Sequence, residues 1–561
     1  MSIRARGLTA SDHVGEAAPR RAPASTGKRV LAGGLVLLAA ALAASAIISF
    51  GLSSVDLSTG DSALAQVHLG TFAGTLDGAT ARSAHGASVP VTVHDGQVTP
   101  LQHVAPGTTL TVTVRVHRPG WSGWALGSVV VQQLTLRTPS AVVQTRWTTL
   151  HAGAPLRVAF AAPVARVAYG TPGNLHHVVL RHPQRVVTLG RQAAAGSIAV
   201  AGAPRTWEQL PPARTVTWFP AGASTLAVTT PAPGGRLGPL SPLRVTFSKP
   251  LSALGSARPA FATPVSGSWR RADDHTLVFT PSGTGFGLGA SVRLTLPAGA
   301  ALVGASGGAT PASSAAATVP AASWTVPPGS TLRLHELLAQ LGYLPLSWRA
   351  ASGAKPVAPD DGAQLAAAVD PPKGSFSWRW SLPSQLTSQW SPTTQSAITR
   401  GALMAFQSNR GLSTDGIAGP SVWSALFAAL RAHKLNTFGY SYVLVHRDAA
   451  TQTATLTHDG KTVISTPANT GVASAPTQLG TFPVYLRYDV TTMSGTNPDG
   501  TRYRDPGIRY VSYFNGGDAL HAFDRASFGT PQSVGCVELP EASAAKIYPY
   551  TPIGTLVQIA P

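Results

Sequence analysis

The 561-residue chain contains a single cysteine, Cys536, in the run Ser533-Val534-Gly535-Cys536-Val537, with His521 fifteen residues upstream. These residue types match what thiol-based nucleophilic catalysis needs: a sulfur, a proton carrier, and donors for a developing oxyanion. A free thiol has a pKa of about 8.5, and a neighbouring imidazole lowers it and raises the reactive fraction. Gly535 permits a turn and a close approach of backbone to a substrate, so the amides of residues 535 and 536 can point at one spot. A strand, loop and turn between 521 and 536 can return the imidazole beside the sulfur. On pattern alone the inert alternative stands too, because many buried cysteines behave as small hydrophobes. One cysteine also excludes a disulfide framework and any multi-cysteine metal site.

Short strands must carry these residues. Tyr440 to Val445, Thr453 to Thr457 and Gly480 to Tyr485 read as short alternating runs, Gly554 to Ile559 as a final strand, and His458-Asp459-Gly460-Lys461 as a hairpin turn between two runs. Upstream the period changes. Leu334, Leu337, Leu338 and Leu341 fall at i, i+3, i+4 and i+7, Trp423, Leu426, Phe427 and Leu430 repeat that spacing, and Ile398, Ala402 and Phe406 recur every fourth residue. Three short amphipathic helices around a small core are predicted. From about 68 to 230 the chain is strand-like, as in Thr109 to Val116 and Leu156 to Phe160, punctuated by Pro106-Gly107 and Pro172-Gly173. Residues 53–67 read as a polar stalk and 301–330 as a linker rich in Ala, Ser, Gly and Pro.

With 44% hydrophobic and 12% charged residues, the chain is not wholly disordered, and 57 Gly with 46 Pro argue against a helix-only architecture. Its length predicts several domains. The net charge of +19 would suit nucleic acid, an anionic membrane or an anionic wall polymer. The arginines are scattered and no nucleic-acid reading module is present, so acidic wall or membrane surroundings are expected and nucleic acid is not. Val30 to Leu52 contains no charged residue, and crossing hydrocarbon takes about 20 apolar residues. Arg4, Arg6, Arg20, Arg21, Lys28 and Arg29 precede it against Asp12 and Glu16. That asymmetry predicts a single-pass anchor over 30–52, a basic cytoplasmic tail over 1–29 and an extracytoplasmic remainder. The rival, a cleaved signal peptide, has a shorter apolar stretch of about 7–15 residues.

His521, the Ser533-x-Gly535-Cys536 core, Pro476 to Phe482 and the closing Gly554 to Ile559 resemble the L,D-transpeptidase (YkuD-like) catalytic domain across 437–561. Leu341-Gly342-Tyr343, Ala405-Phe406-Gln407, Gly411-Leu412, Asp415 to Gly419 and Trp423 resemble a peptidoglycan-binding domain across 331–434, with an insertion between Tyr343 and Trp390. Ser268-Trp269, Thr276 to Pro281 and Val292 to Pro297 resemble bacterial Ig-like domains across 235–320, and 68–230 reads as a further Ig-like β spacer. The implied fold is multidomain and mainly β: a transmembrane helix, two Ig-like sandwiches, a small three-helix domain and a β-rich catalytic domain.

The resemblance implies a cysteine-dependent acyl transfer. Cys536 would attack the carbonyl at the L-centre of diaminopimelate in a tetrapeptide stem and release D-Ala, with His521 as general base and acid. It implies a positioning role for Ser533, the backbone N–H groups of Gly535 and Cys536 at the oxyanion, and Met493, Tyr513 and Val534 on the substrate side. It implies no metal or organic cofactor, with peptidoglycan stem peptides and cell-wall glycan as partners. Rival readings are a non-catalytic wall-binding scaffold and an L,D-carboxypeptidase with water as acceptor. The chain departs from the family pattern at Val534, Ala522 and Glu538. A carboxylate at 538 would raise the thiol pKa if it stood close and unpaired.

Overall fold

The computed structural model describes residues 52–303 and 321–561, apart from Asp61 and Ala193. The expected tail and anchor over 1–29 and 30–52 lie outside the described residues, except for Leu52. Among the described residues no helix is long and apolar enough to cross a membrane. The chain divides into two compact units, one running to residue 146 and adding 157–188 and 198–215, the other holding 147–156, 189–197 and 216–561.

The first unit contains two four-stranded sheets. One is ordered Val55–Ser58, Ala65–Leu69, Gln97–Pro100, Val91–His94, and the other Ser88–Val89, Thr75–Ser83, Thr109–His117, Val129–Arg137. In Thr109–His117 the even-numbered Leu110, Val112, Val114 and Val116 are buried, the period-two pattern of a strand with one face on a core. They pack with Val55, Leu64, Val67 and Val98 from the other sheet. Residues 53–67 are therefore not a stalk. Val55 pairs with Leu69 and Asp56 with His68, and the polar residues that made this run look solvated sit between apolar residues of the core. The long strand Pro155–Thr171 adds a further layer, pairing with Gly196–Ala203.

In the second unit, residues 225–303 and 321–325 form two packed sheets. Five strands run in the order Gly267–Asp273, Thr276–Pro281, Leu243–Phe247, Thr225–Thr230, Ala300–Leu302, and three in the order Ala260–Phe261, Ser291–Thr295, Ala321–Thr325. Phe247 and Phe279 from one sheet meet Leu294 and Trp324 from the other. A sandwich was expected here, but it is wider than 235–320. Thr225–Thr230 opens it, and Ala321–Thr325, which composition assigned to a linker, supplies an edge strand whose Trp324 indole donates to Ala232 O at 2.8 Å.

The three expected helices follow as α1 (Thr331–Gln340), α3 (Ala397–Asn409) and α4 (Pro420–Arg431). The insertion contributes α2 (Asp361–Val369), capped by the Asp360 carboxylate on the Ala363 N–H at 2.9 Å. It also contributes a hairpin of Leu346–Ala350 with Gly374–Trp378. Leu334, Leu337, Leu338, Ile398, Phe406, Trp423 and Phe427 form one buried core.

Residues 441–560 form two sheets. Strands β1 (Ser441–His446), β2 (Thr453–His458), β3 (Lys461–Pro467), β4 (Gly480–Pro483) and β9 (Leu556–Ala560) are ordered β3-β2-β1-β9-β4. Strands β5 (Leu486–Thr496), β6 (Arg502–Asn515), β7 (Asp518–Ala522) and β8 (Val537–Leu539) form the second sheet in sequence order. The β2–β3 turn has positive φ at both Asp459 and Gly460, +46° and +76°, as a two-residue hairpin requires. Val443, Val445, Val557 and Ile559 face a core shared with Leu520, Val537 and α5 (Glu541–Ile547). Tyr442, Leu444 and Leu556, on the alternate face of the same two strands, join the helical core. The helices thus dock directly on the outer face of the five-stranded sheet.

Candidate active site

Strands β7 and β8 run parallel, with Leu520 opposite Val537 and His521 opposite Glu538. One step back along both strands sets Cys536 beside Ala519. Because side chains alternate, Ala519, His521, Cys536 and Glu538 share one face, and His521 is the diagonal neighbour of Cys536. Both line a cleft of about 320 Å³ together with Met493, Tyr503, Asp505 and Arg525. The imidazole is buried, and its Nδ1 lies 2.9 Å from the Ala522 carbonyl oxygen. A carbonyl only accepts, so Nδ1 carries the hydrogen and the Nε2 lone pair remains to take a proton.

The turn that presents the sulfur is tied down from inside. The Ser533 hydroxyl donates to Cys536 O at 2.5 Å and accepts from the Gly535 N–H at 3.3 Å. Gly535 adopts φ +115°, and a Cβ there would stand 2.4 Å from an Asp518 carboxylate oxygen. The positive φ is what favours glycine at this position, since the Asp518 side chain could move aside. Ser533 is anchored in turn to the 470–472 segment, its N–H donating to Thr470 O at 3.0 Å and its carbonyl accepting from Val472 N–H at 2.9 Å. The buried Thr477 hydroxyl holds that segment by accepting the Gly471 N–H at 2.9 Å, which gives the Pro476 to Phe482 run a structural purpose.

The thiol is not pre-ionised. Burial pushes Cys536 up to about 12; the Ala519 backbone N–H directed at the sulfur offsets part of this, and the Asp518 and Glu538 carboxylates add to it. The sequence had pointed the other way, toward a thiol lowered by its histidine. His521 is itself held below the ordinary imidazole value, chiefly by burial, so it is neutral and basic rather than a resident cation. Asp518, beside the turn, is raised to about 6 by burial, with the Asn515 amide partly opposing.

Glu538 is close to the site but not unpaired. Arg525 donates to it twice, Nε to Oε2 at 2.8 Å and Nη2 to Oε1 at 2.6 Å, and Glu538 is only 4% exposed. Its backbone also exchanges two hydrogen bonds with Asn469, at 3.0 and 2.9 Å. The Asn469 side chain accepts the Gly529 N–H at 2.9 Å and so pins the loop between His521 and Cys536.

Of the expected substrate-side residues, Met493 and Val534 line the cleft, with Val534 39% exposed. Tyr513 lies beside it, packed with Met493, Phe523 and Cys536 around Val511 and Ala519. The β5–β6 hairpin brings Met493 opposite Asp505 through a register shift. Sequence reasoning missed Tyr503, Asp505, Asn469 and Arg525. A charge pair separated by thirteen positions was the one available signal for Arg525.

Residues 441–559 match the family described as the L,D-transpeptidase catalytic domain, and residues 391–426 match the putative peptidoglycan binding domain. Similar solved structures include an L,D-transpeptidase from Mycobacterium smegmatis, 15% identical, covering 60% of this chain and 100% of that one, with a TM-score of 0.20. An L,D-transpeptidase from Mycobacterium tuberculosis is 13% identical, covering 59% and 96%, with a TM-score of 0.19. The catalytic domain of an E. faecium L,D-transpeptidase is 26% identical, covering 22% and 99%, with a TM-score of 0.20. No curated protein matches the chain.

Proposed function

From a chain that carries an L,D-transpeptidase catalytic domain behind a peptidoglycan-binding domain, we infer that this protein cross-links peptidoglycan stem peptides through an acyl-enzyme on Cys536. The observation that carries the reading is the shared cleft: the lone sulfur and a buried imidazole with a free Nε2 lie diagonally across one parallel ladder.

His521 Nε2 takes the thiol proton as Sγ attacks the carbonyl carbon of the donor stem's third residue. The tetrahedral oxyanion is met by the backbone amides of Gly535 and Cys536. The Gly535 N–H would shift to it from its long bond with Ser533 Oγ. Collapse breaks the C–N bond, the imidazolium returns its proton to the departing D-Ala amine, and a thioester remains. An acceptor amine then attacks the thioester, His521 accepts a proton from that amine, and Sγ leaves to be reprotonated. A resting thiol near 12 makes the imidazole necessary, since little thiolate is present at neutral pH. The Arg525 pairing of Glu538 weighs against one of the two departures, Glu538 and Val534, that favoured a non-catalytic scaffold. The uncharged run over 30–52 supports a membrane anchor with the catalytic domain extracytoplasmic, where its substrate is found.

Intact-mass measurement after exposure to a carbapenem tests the nucleophile without the natural substrate. The expected result is a single adduct on the wild-type protein and none on Cys536→Ala. New stem-to-stem links in tetrapeptide-containing peptidoglycan should appear with the first and not the second. An intact protein that yields neither adduct nor cross-link overturns the reading.

A further inference from the structure

The thiol chemistry leaves one cation in the cleft without a task. Arg525 lines it together with Asp505 and Cys536, its guanidinium 4.5 Å from the centre of the Phe523 ring. Glu538 holds Nε and Nη2, and Nη2 also donates to Gln532 O at 3.2 Å. Three of the five N–H donors are thereby used, and among the described residues the two on Nη1 meet no acceptor. The fork is fixed in plane by Glu538 and by the ring beneath it, and it retains an unfilled donor edge. Such an edge suits a carboxylate.

Asp505 supplies the opposite sign. It comes from β6 opposite Met493, and its charge bears on both Arg525 and His521. Its carboxylate makes no ion pair or hydrogen bond among the described residues. Glu538 already balances much of the Arg525 charge, so the two groups offer the cleft a carboxylate and a donor edge side by side. The complement is a carbon bearing both an ammonium and a carboxylate.

We propose that Arg525 and Asp505 read the zwitterionic end of the side chain on the donor residue whose carbonyl Cys536 attacks, Arg525 taking the carboxylate and Asp505 the ammonium. This assignment rests on the transpeptidase reading and makes the two residues determinants of specificity rather than of bond making. A lysine-type side chain engages Asp505 alone. A diamino diacid with its distal carboxylate amidated loses the charge that Arg525 receives.

The test compares kcat/KM for three tetrapeptide donors whose third residue is a diamino diacid, its distal amide, or lysine. Wild-type protein should favour the free diacid over the amide by roughly ten- to a hundredfold, the range of a charge-assisted hydrogen bond. Arg525→Gln should bring that ratio near one, and Arg525→Lys should restore part of it. Because Arg525→Gln strips Glu538 of its partner, Arg525→Gln with Glu538→Gln is measured alongside and should show the same collapse. Equal turnover of diacid and amide by wild type, or a ratio that survives in these variants, overturns the assignment while leaving the transpeptidase intact. A wild-type protein that turns over none of the three overturns the transpeptidase reading and the assignment with it.

Discussion

At the scale of single residues, the site separates two jobs that the amino-acid types alone had merged. Cys536 is raised to about 12 mainly by burial, and His521 is lowered, also by burial, so the resting pair is thiol and neutral imidazole. The sign of the pH dependence follows. Protonating His521 removes the base, and its lowered pKa moves that loss below the ordinary imidazole value of about 6.5. Ionising the thiol without help begins only far above neutrality. The rate of carbapenem acylation should therefore be nearly flat from about pH 6.5 to 9, with its acid limb below that window. A rate rising tenfold per pH unit through the window would mean free thiolate reacts unaided, and would remove His521 from the chemistry. Cys536, His521 and Gly535 could be singled out in the sequence because the one cysteine follows a glycine and the run with its upstream histidine resembles a known catalytic domain. Arg525 and Asp505 could not, because they reach the cleft from a loop and a hairpin strand that only the fold brings together.

At the scale of elements, the contact between α3 and the end of β9 is set by two glycines. A Cβ at Gly401 would stand 2.5 Å from Gly554 O, and one at Gly554 would stand 2.3 Å from Gly401 O. Gly554 also has φ +91°, so it is doubly constrained, whereas Gly401 sits within an ordinary helix. Gly401→Ala would improve helix propensity on an isolated helix, yet here it must push backbone from backbone. Overpacking of this kind costs about 1–3 kcal/mol, so the melting temperature should fall by several degrees. An unchanged or raised melting temperature would show that the helices do not bear on the five-stranded sheet. This docking had a sequence signal that went unused. Tyr442-Val443-Leu444-Val445 is apolar at every position, and a strand with no polar face is one covered on both sides.

At the scale of the whole molecule, the order of parts was readable and their edges were not. Composition separated β regions, helices and a β-rich terminus, but it placed a stalk where Val55–Ser58 and Ala65–Leu69 form strands and a linker where Ala321–Thr325 does. In each case the apolar residues are few and interleaved with small or polar ones, which imitates a solvated segment until a partner strand is present. The anchor proposed over 30–52 has consequences that reach the full chain. Full-length protein should stay with membranes through alkaline carbonate washing and be released by detergent, and a chain starting at residue 53 should be soluble in buffer. Extraction of the full-length protein by carbonate alone would refute the anchor.

The burial that raises Cys536 should also slow its oxidation. Peroxide and stray disulfides react with thiolate and largely spare the protonated form. A sulfur kept protonated until His521 takes its proton should therefore react slowly with oxidants between turnovers. With no second cysteine in the sequence to reverse a sulfenic acid, slow intrinsic reactivity would preserve activity.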